Sequence, residues 1–222
     1  MMDGFFANIV WSDIGQATMD TLTMLVGSLV LTILLGVPLG VLLFLTDRGQ
    51  MDQNIAVNRL LGVVVNILRS IPFVILLIVM IPLTLMIVGT SLGVAGAIPP
   101  LVAGAAPFYA RLVENALRDI PRATIEAAQA MGASRMQIIG KVLLPEALPG
   151  LISGGTVTAI ALVSFTAMAG VVGAGGLGDL AIRYGYQRFQ ADVMLVTVVL
   201  LVLLVQFIQW SGDWLTRRVD HR

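Results

Sequence analysis

Charged residues are so sparse along this chain that the gaps between them outline its elements. No charge occurs in the 26 residues from Thr21 to Thr46, the 41 from Ser70 to Ala110, the 32 from Ala147 to Gly178 or the 20 from Val193 to Gly212. A helix rising 1.5 Å per residue needs about 20 mostly apolar residues to cross roughly 30 Å of hydrocarbon. The second gap is too long for one crossing. Pro82, Gly89, Gly93, Gly96, Pro99 and Pro100 in its middle predict a turn between two helices. The pattern therefore predicts five spans, near 20–45, 57–81, 92–114, 150–172 and 191–214.

Composition agrees with that pattern. Hydrophobic residues make up 58% of the chain and charged ones 12%, against about 25% charged in soluble domains. The mean hydropathy is +0.95. The 13 basic and 13 acidic residues cancel, which excludes a nucleic-acid binder built on a basic surface. The absence of cysteine excludes disulfides, iron–sulfur clusters and thiol nucleophiles, and the one histidine, His221, leaves little for a metal site. The expected fold class is an all-α polytopic membrane protein.

Orientation follows from the basic residues. With the loop after span 3 placed in the cytoplasm, ten Lys/Arg lie inside and only Arg183 and Arg188 outside, while Arg69 sits within or at the edge of span 2. That positive-inside split sets the N-terminus outside and the C-terminus, with a tail at 217–222, in the cytoplasm. Residues 1–17 lack the basic start of a signal peptide. Phe5, Phe6, Ile9, Val10 and Trp11 alternate there with polar residues, which fits either a short helix in the outer interface or a frayed tail.

One loop is long, at about 115–149, and its pattern is helical. Pro121 suits a first turn, Arg122 to Met131 is a helix-forming run, and Gly132 can take the left-handed conformation that ends it. Ser134 and Gln137 read as a capping box for a second helix, which Leu144-Pro145 is expected to stop. Ala127, Ala128 and Ala130 allow close approach to another surface, and Arg122, Glu126 and Arg135 make a polar face. By pattern alone this element is either an amphipathic connector or a docking element.

Glu126-Ala127-Ala128, Gly132, Val142 and Leu144-Pro145 at their spacing resemble the EAA motif of ABC-importer permeases, with Val142 where isoleucine is usual. Asn66-Ile-Leu-Arg-Ser-Ile-Pro72-Phe, Gly104 to Asn115, Lys141 to Gly150, Val172 to Asp179 and Tyr184 to Gln187 are similar to the methionine-permease branch of that family. The resemblance runs from about Thr18 and implies a transmembrane domain over 18–216 with a cytoplasmic coupling-helix loop. It also implies a bacterial inner-membrane homodimer, two ABC ATPase subunits and an external methionine-binding lipoprotein. ATP and magnesium would be bound by the ATPase. The coupling residues implied are Arg122, Glu126, Ala127, Ala128, Gly132, Ser134, Val142, Leu144 and Pro145.

No phosphate loop is present, since the sole Gly-Lys, Gly140-Lys141, has Arg135 where the first glycine belongs. The chain is therefore not expected to be an enzyme. Gly173-x-Gly175-x-x-Gly178 matches the dinucleotide fingerprint literally, but the apolar run before it is of membrane length, so packing or an external gate fits better. Gly36-x-x-x-Gly40 and Gly150-x-x-x-Gly154 allow close helix contacts. Arg111, Glu114 and Arg118 read as an ion-pair ladder.

Arg69 has two readings: it snorkels to headgroups, or it stands beside a water-filled pathway with Pro72 distorting span 2. Ser164, Thr166 and Met168 in span 4 either line that pathway, with Met168 as the gate, or satisfy neighbouring helices. The expected function is the permease subunit of an ATP-driven importer of methionine, of both the D- and L-forms as the resemblance implies. The alternatives are an importer for another small solute and an ATP-independent transporter. The latter class generally needs intramembrane charge relays, which are scarce here.

Overall fold

The computed structural model describes residues 9–220. Helices α1 (Trp11–Leu45), α2 (Ile55–Ser70), α3 (Phe73–Val79), α4 (Ile81–Val88) and α5 (Gly93–Arg118) form its first half. Helices α6 (Arg122–Ala130), α7 (Arg135–Ile138), α8 (Leu144–Gly170), α9 (Gly176–Leu180) and α10 (Ala191–Val219) form the rest, with no strand among the described residues. Four helical segments are long and apolar enough to cross a membrane, and the pair α2–α3 passes the same test only when its two bent halves are taken together, which makes up to five.

Several boundaries differ from those the sequence predicts. Span 1 begins at Trp11, so residues 11–17 are the first turns of α1 rather than part of a separate segment; residues 1–8 lie outside the described residues. The physical reason is a long-range contact. Ile14 and Ala17 pack on Leu177, Leu180 and Val193, and Thr21 accepts a hydrogen bond from the Leu177 N–H at 2.9 Å. The tail is shorter too, since Arg217 and Arg218 form the last turn of α10.

Span 2 is not straight. Ile71 is extended and the chain turns by 105° between α2 and α3, because proline brings no N–H and pushes the residue before it out of helical geometry. The expected turn after it is confined to Gly89, which is left-handed, and the residues up to Gly93; Gly96, Pro99 and Pro100 belong to α5.

Leu144-Pro145 stops no helix. A π turn over Ile139–Leu143 carries α7 into α8, and the Leu144 N–H reaches back five residues to the Ile139 carbonyl. The widened turn makes room for a residue that has no N–H and would clash with the carbonyl one turn earlier. The long loop is accordingly 119–143 rather than 115–149.

Glycines set how closely the long helices approach. A Cβ on Gly40 would stand 2.6 Å from the Ala110 carbonyl oxygen of α5, and one on Gly150 would stand 2.7 Å from the Ala116 side chain. Both pairs seen in the sequence therefore lie in contacts with α5, the central helix. Gly170 and Gly178 let α9 lie directly on the end of α8, with Gly178 against the Ala167 backbone. This is packing, and a nucleotide fingerprint would need a strand here. Apolar side chains of α1 and α10, such as Val26, Leu34, Val202 and Phe207, stay exposed on the outside, as lipid-facing positions do.

Candidate functional site

Two regions stand out, an elbow at the basic end of the bundle and a face where polar residues of α2 and α5 meet α8.

The elbow is α6, a turn and α7. Gly132 has a φ of +77°. Its N–H donates to the Gln129 carbonyl at 2.9 Å, and the Ala133 N–H donates to the Ala128 carbonyl at 3.1 Å. These paired bonds satisfy carbonyls that a helix end otherwise orphans. At the next helix, Ser134 and Gln137 form the reciprocal capping box. Ile125, Ala128, Ile138 and Leu143 bury one side of the elbow against Phe44, Val113 and Leu117, and half-buried Val142 and Leu144 pack on the same cluster.

The other side is open. Arg122, Glu126, Ala127, Gly132, Ser134 and Pro145 are exposed. So are Met131 at 81% and Met136 at 77%, two deformable apolar side chains of the kind that suits an adaptable protein contact. The sequence reading passed over both methionines, although each is a large apolar residue in an otherwise polar run.

Ion pairs tie the elbow to the bundle. Arg135 pairs with Asp52 in the α1–α2 loop. Glu114, 3% exposed, accepts from Arg111 and Arg118 at 2.6 Å each. Arg118 also reaches Asp47 at 2.7 Å, and Arg111 donates to Asn66 Oδ1 of α2 at 3.1 Å. Slight burial pushes the Asp47 carboxyl up, but the Arg48 backbone N–H and the Arg118 guanidinium outweigh it and hold that carboxyl below the usual carboxylate range.

The second region begins with a stripe on α2. Arg59, Gly62, Asn66, Arg69 and Ser70 fall at spacings of three, four, three and one, within about 100° of one helical face. Gly104, Phe108, Arg111 and Asn115 repeat the spacing on α5, and Ala161, Ser164, Phe165 and Met168 repeat it on α8. A cavity of about 530 Å³ lies among them, lined by Asn66, Arg69, Phe73, Phe108, Phe165 and their neighbours. Its floor is the parallel stack of Phe73 on Phe165, with ring centroids 4.4 Å apart. Arg69 stands 5.8 Å from the Phe108 ring centroid.

Of the predicted pathway residues, Arg69 and Pro72 are exposed beside this cavity, and Ser164 and Met168 are exposed on its helix face. Thr166 is not with them. It is 1% exposed and donates to the Val163 carbonyl at 2.7 Å, so its hydroxyl is spent on its own helix. Asn66, Phe73, Phe108 and Phe165 were not singled out from sequence; for Asn66 the spacing of seven, three and one between Arg59, Asn66, Arg69 and Ser70 was the available signal. No cluster able to hold a metal ion occurs among the described residues.

A family model described as "Binding-protein-dependent transport system inner membrane component" matches residues 32–221. The probable D-methionine transport system permease protein MetI of Vibrio cholerae is 54% identical over 206 residues, 93% of this chain and 92% of that one. The methionine import system permease protein MetP of Bacillus subtilis is 51% identical over 222 residues, the whole of both chains. A chain from the inward-facing MetNI methionine ABC transporter superposes with a TM-score of 0.94 at 51% identity, over 95% of this chain and 98% of that one. A chain of an amino acid ABC transporter, at 14% identity and a TM-score of 0.75 over 92% and 93% of the two chains, shares the fold alone.

Proposed function

The chain belongs to the family of inner membrane components of binding-protein-dependent transport systems, and from that premise we propose that it is the permease subunit of an ATP-driven methionine importer. It is a transport component and not an enzyme. The observation that carries the cargo is the 51% identity, over the full length of both chains, to a methionine import permease.

Arg59, Asn66 and Arg69 of α2 and Arg111 and Asn115 of α5 cannot face hydrocarbon without cost, so two copies set these faces and that of α8 toward each other and the solute passes between them. Met168, on the exposed face of α8 with Ser164, is the gate; Arg69 and Pro72 flank the passage. Two ATPase subunits grip the elbows. Arg122, Glu126 and Ala127 are presented to them, while Ala128, Gly132, Ser134, Val142, Leu144 and Pro145 keep the elbow in shape. Closure of the ATPase pair on ATP pulls the elbow, and the Arg135–Asp52 and Arg118–Asp47 pairs pass that pull to α1, α2 and α5. Such coupling needs two states that the ATPase contacts bias. An external lipoprotein delivers methionine. The basic residues support an N-terminus outside and a C-terminus in the cytoplasm of a bacterial cell.

The test is uptake of radiolabelled methionine into proteoliposomes with ATP inside. Accumulation is expected only with the ATPase and the binding protein both present. Uptake that persists without the ATPase overturns the ATP-driven reading, and accumulation of a different solute in place of methionine overturns the cargo.

A further inference from the structure

We propose that the cavity at the α2–α3 break is an amino-acid subsite of the permease itself, in which Arg69 holds the carboxylate and the Phe73–Phe165 floor holds the apolar side chain. This rests on the reading of the chain as a methionine importer and adds a recognition step inside the membrane domain.

Three observations converge on it. Arg69 lies fourteen residues into α2 after Ile55, which at 1.5 Å per residue is about 21 Å along the helix. The bent pair α2–α3 together makes a candidate broken span, and a cation within a span is costly without an anionic partner or water. Arg111 and Arg118 on the neighbouring helix share Glu114, and Arg118 also pairs with Asp47, yet no carboxylate pairs with Arg69 among the described residues. Its planar fork is suited to a carboxylate held at two oxygens.

The second observation is the floor. A stacked phenylalanine pair with Phe108 beside it offers ring edges and faces to an aliphatic or thioether chain, and sulfur–aromatic contacts are favourable. The volume of about 530 Å³ falls within the roughly 300–1,000 Å³ of small-molecule sites.

The third is the break itself. The last four carbonyls of a helix have no intrahelical donor, and Pro72 has no N–H to give those of α2. These open carbonyls, in the turn that also carries Arg69, are acceptors for the ammonium of a zwitterion whose carboxylate lies on Arg69. Cation, apolar floor and open carbonyls thus match the three parts of an α-amino acid with an apolar side chain.

The experiment uses the assembled transporter in nanodiscs without binding protein. Equilibrium binding of radiolabelled methionine is competed with methionine and with methioninamide, which lacks the carboxylate. For the native protein, the amide is expected to compete at least tenfold less well. In Arg69→Gln, methionine binding is expected to weaken at least tenfold and the gap between acid and amide to collapse to about twofold. Arg69→Lys is expected to keep part of the preference. A merely structural arginine would weaken both ligands alike and leave their ratio unchanged. An unchanged ratio in Arg69→Gln, or native protein that imports methionine but binds none, overturns the subsite alone. Native protein that imports no methionine overturns the functional reading and this site with it.

Discussion

The Arg118 guanidinium sits between two carboxylates from different parts of the chain, Glu114 one turn back on α5 at 2.6 Å and Asp47 after α1 at 2.7 Å. Glu114 is nearly buried and also holds Arg111, whose second nitrogen reaches Asn66 of α2. One acidic side chain thus organises the junction of α1, α2 and α5 directly above the elbow.

Replacing that carboxylate leaves two guanidiniums without their shared partner. Glu114→Ala should lower stability by about 2–3 kcal/mol, the scale of hydrogen bonds to charged groups lost from a buried site. Thermal unfolding of the detergent-solubilised protein measures it, and a midpoint equal to that of the native protein would remove Glu114 from its organising role.

Asp47 gives the same junction a pH dependence. Its carboxyl is held below the usual range in the folded protein, so its contribution is fully present above the unfolded value. That contribution is lost as pH falls through the folded one, below about pH 4. Unfolding midpoints taken from pH 6 down to pH 3 should fall less steeply in Asp47→Asn than in the native protein; parallel curves would contradict the assignment.

Gly132 needs its left-handed φ, and open space surrounds its Cβ position. Within this chain strain ranks its variants: in thermal unfolding Gly132→Asn should stay close to the native protein, and Gly132→Val should lose about 1–2 kcal/mol at the elbow, with methionine uptake following the same order. Equal uptake by the two variants would show that the turn's conformation does not matter.

Gly178 and Gly15 separate close packing from helix propensity. Gly178→Ala drives a methyl into the Ala167 backbone and should destabilise by about 1–3 kcal/mol. Gly15→Ala, in a helix with nothing within 4 Å, should stabilise by up to about 1 kcal/mol. The two unfolding midpoints should move in opposite directions.

Met168 is 42% exposed on the face shared with Phe165. Met168→Ala should raise ATP-independent leak of methionine from loaded vesicles severalfold. Leak at the native rate would return the residue to a packing role.

Much of this was legible before folding was considered. Charge gaps revealed the long apolar helices because hydrocarbon tolerates few ions wherever the helix packs. Gly132 and Ser134 were legible because turns and caps depend on neighbours within four residues. The ladder of Arg111, Glu114 and Arg118 was legible for the same reason. For Thr166 the structure favours the second of its two readings, and its offset of two residues from Ser164 and Met168 already put it on the opposite face of α8.

By itself, then, the sequence determined the membrane-spanning helices, the basic end and the shape of the elbow, all of which follow from local chemistry and the solvent. Tertiary structure alone decided that α1 starts at Trp11, that a π turn carries the chain past Pro145, and that three aromatic rings meet beneath Arg69. Each of these depends on residues far apart in the chain, or on strain relieved by a neighbouring element, and neither can be read from a local pattern.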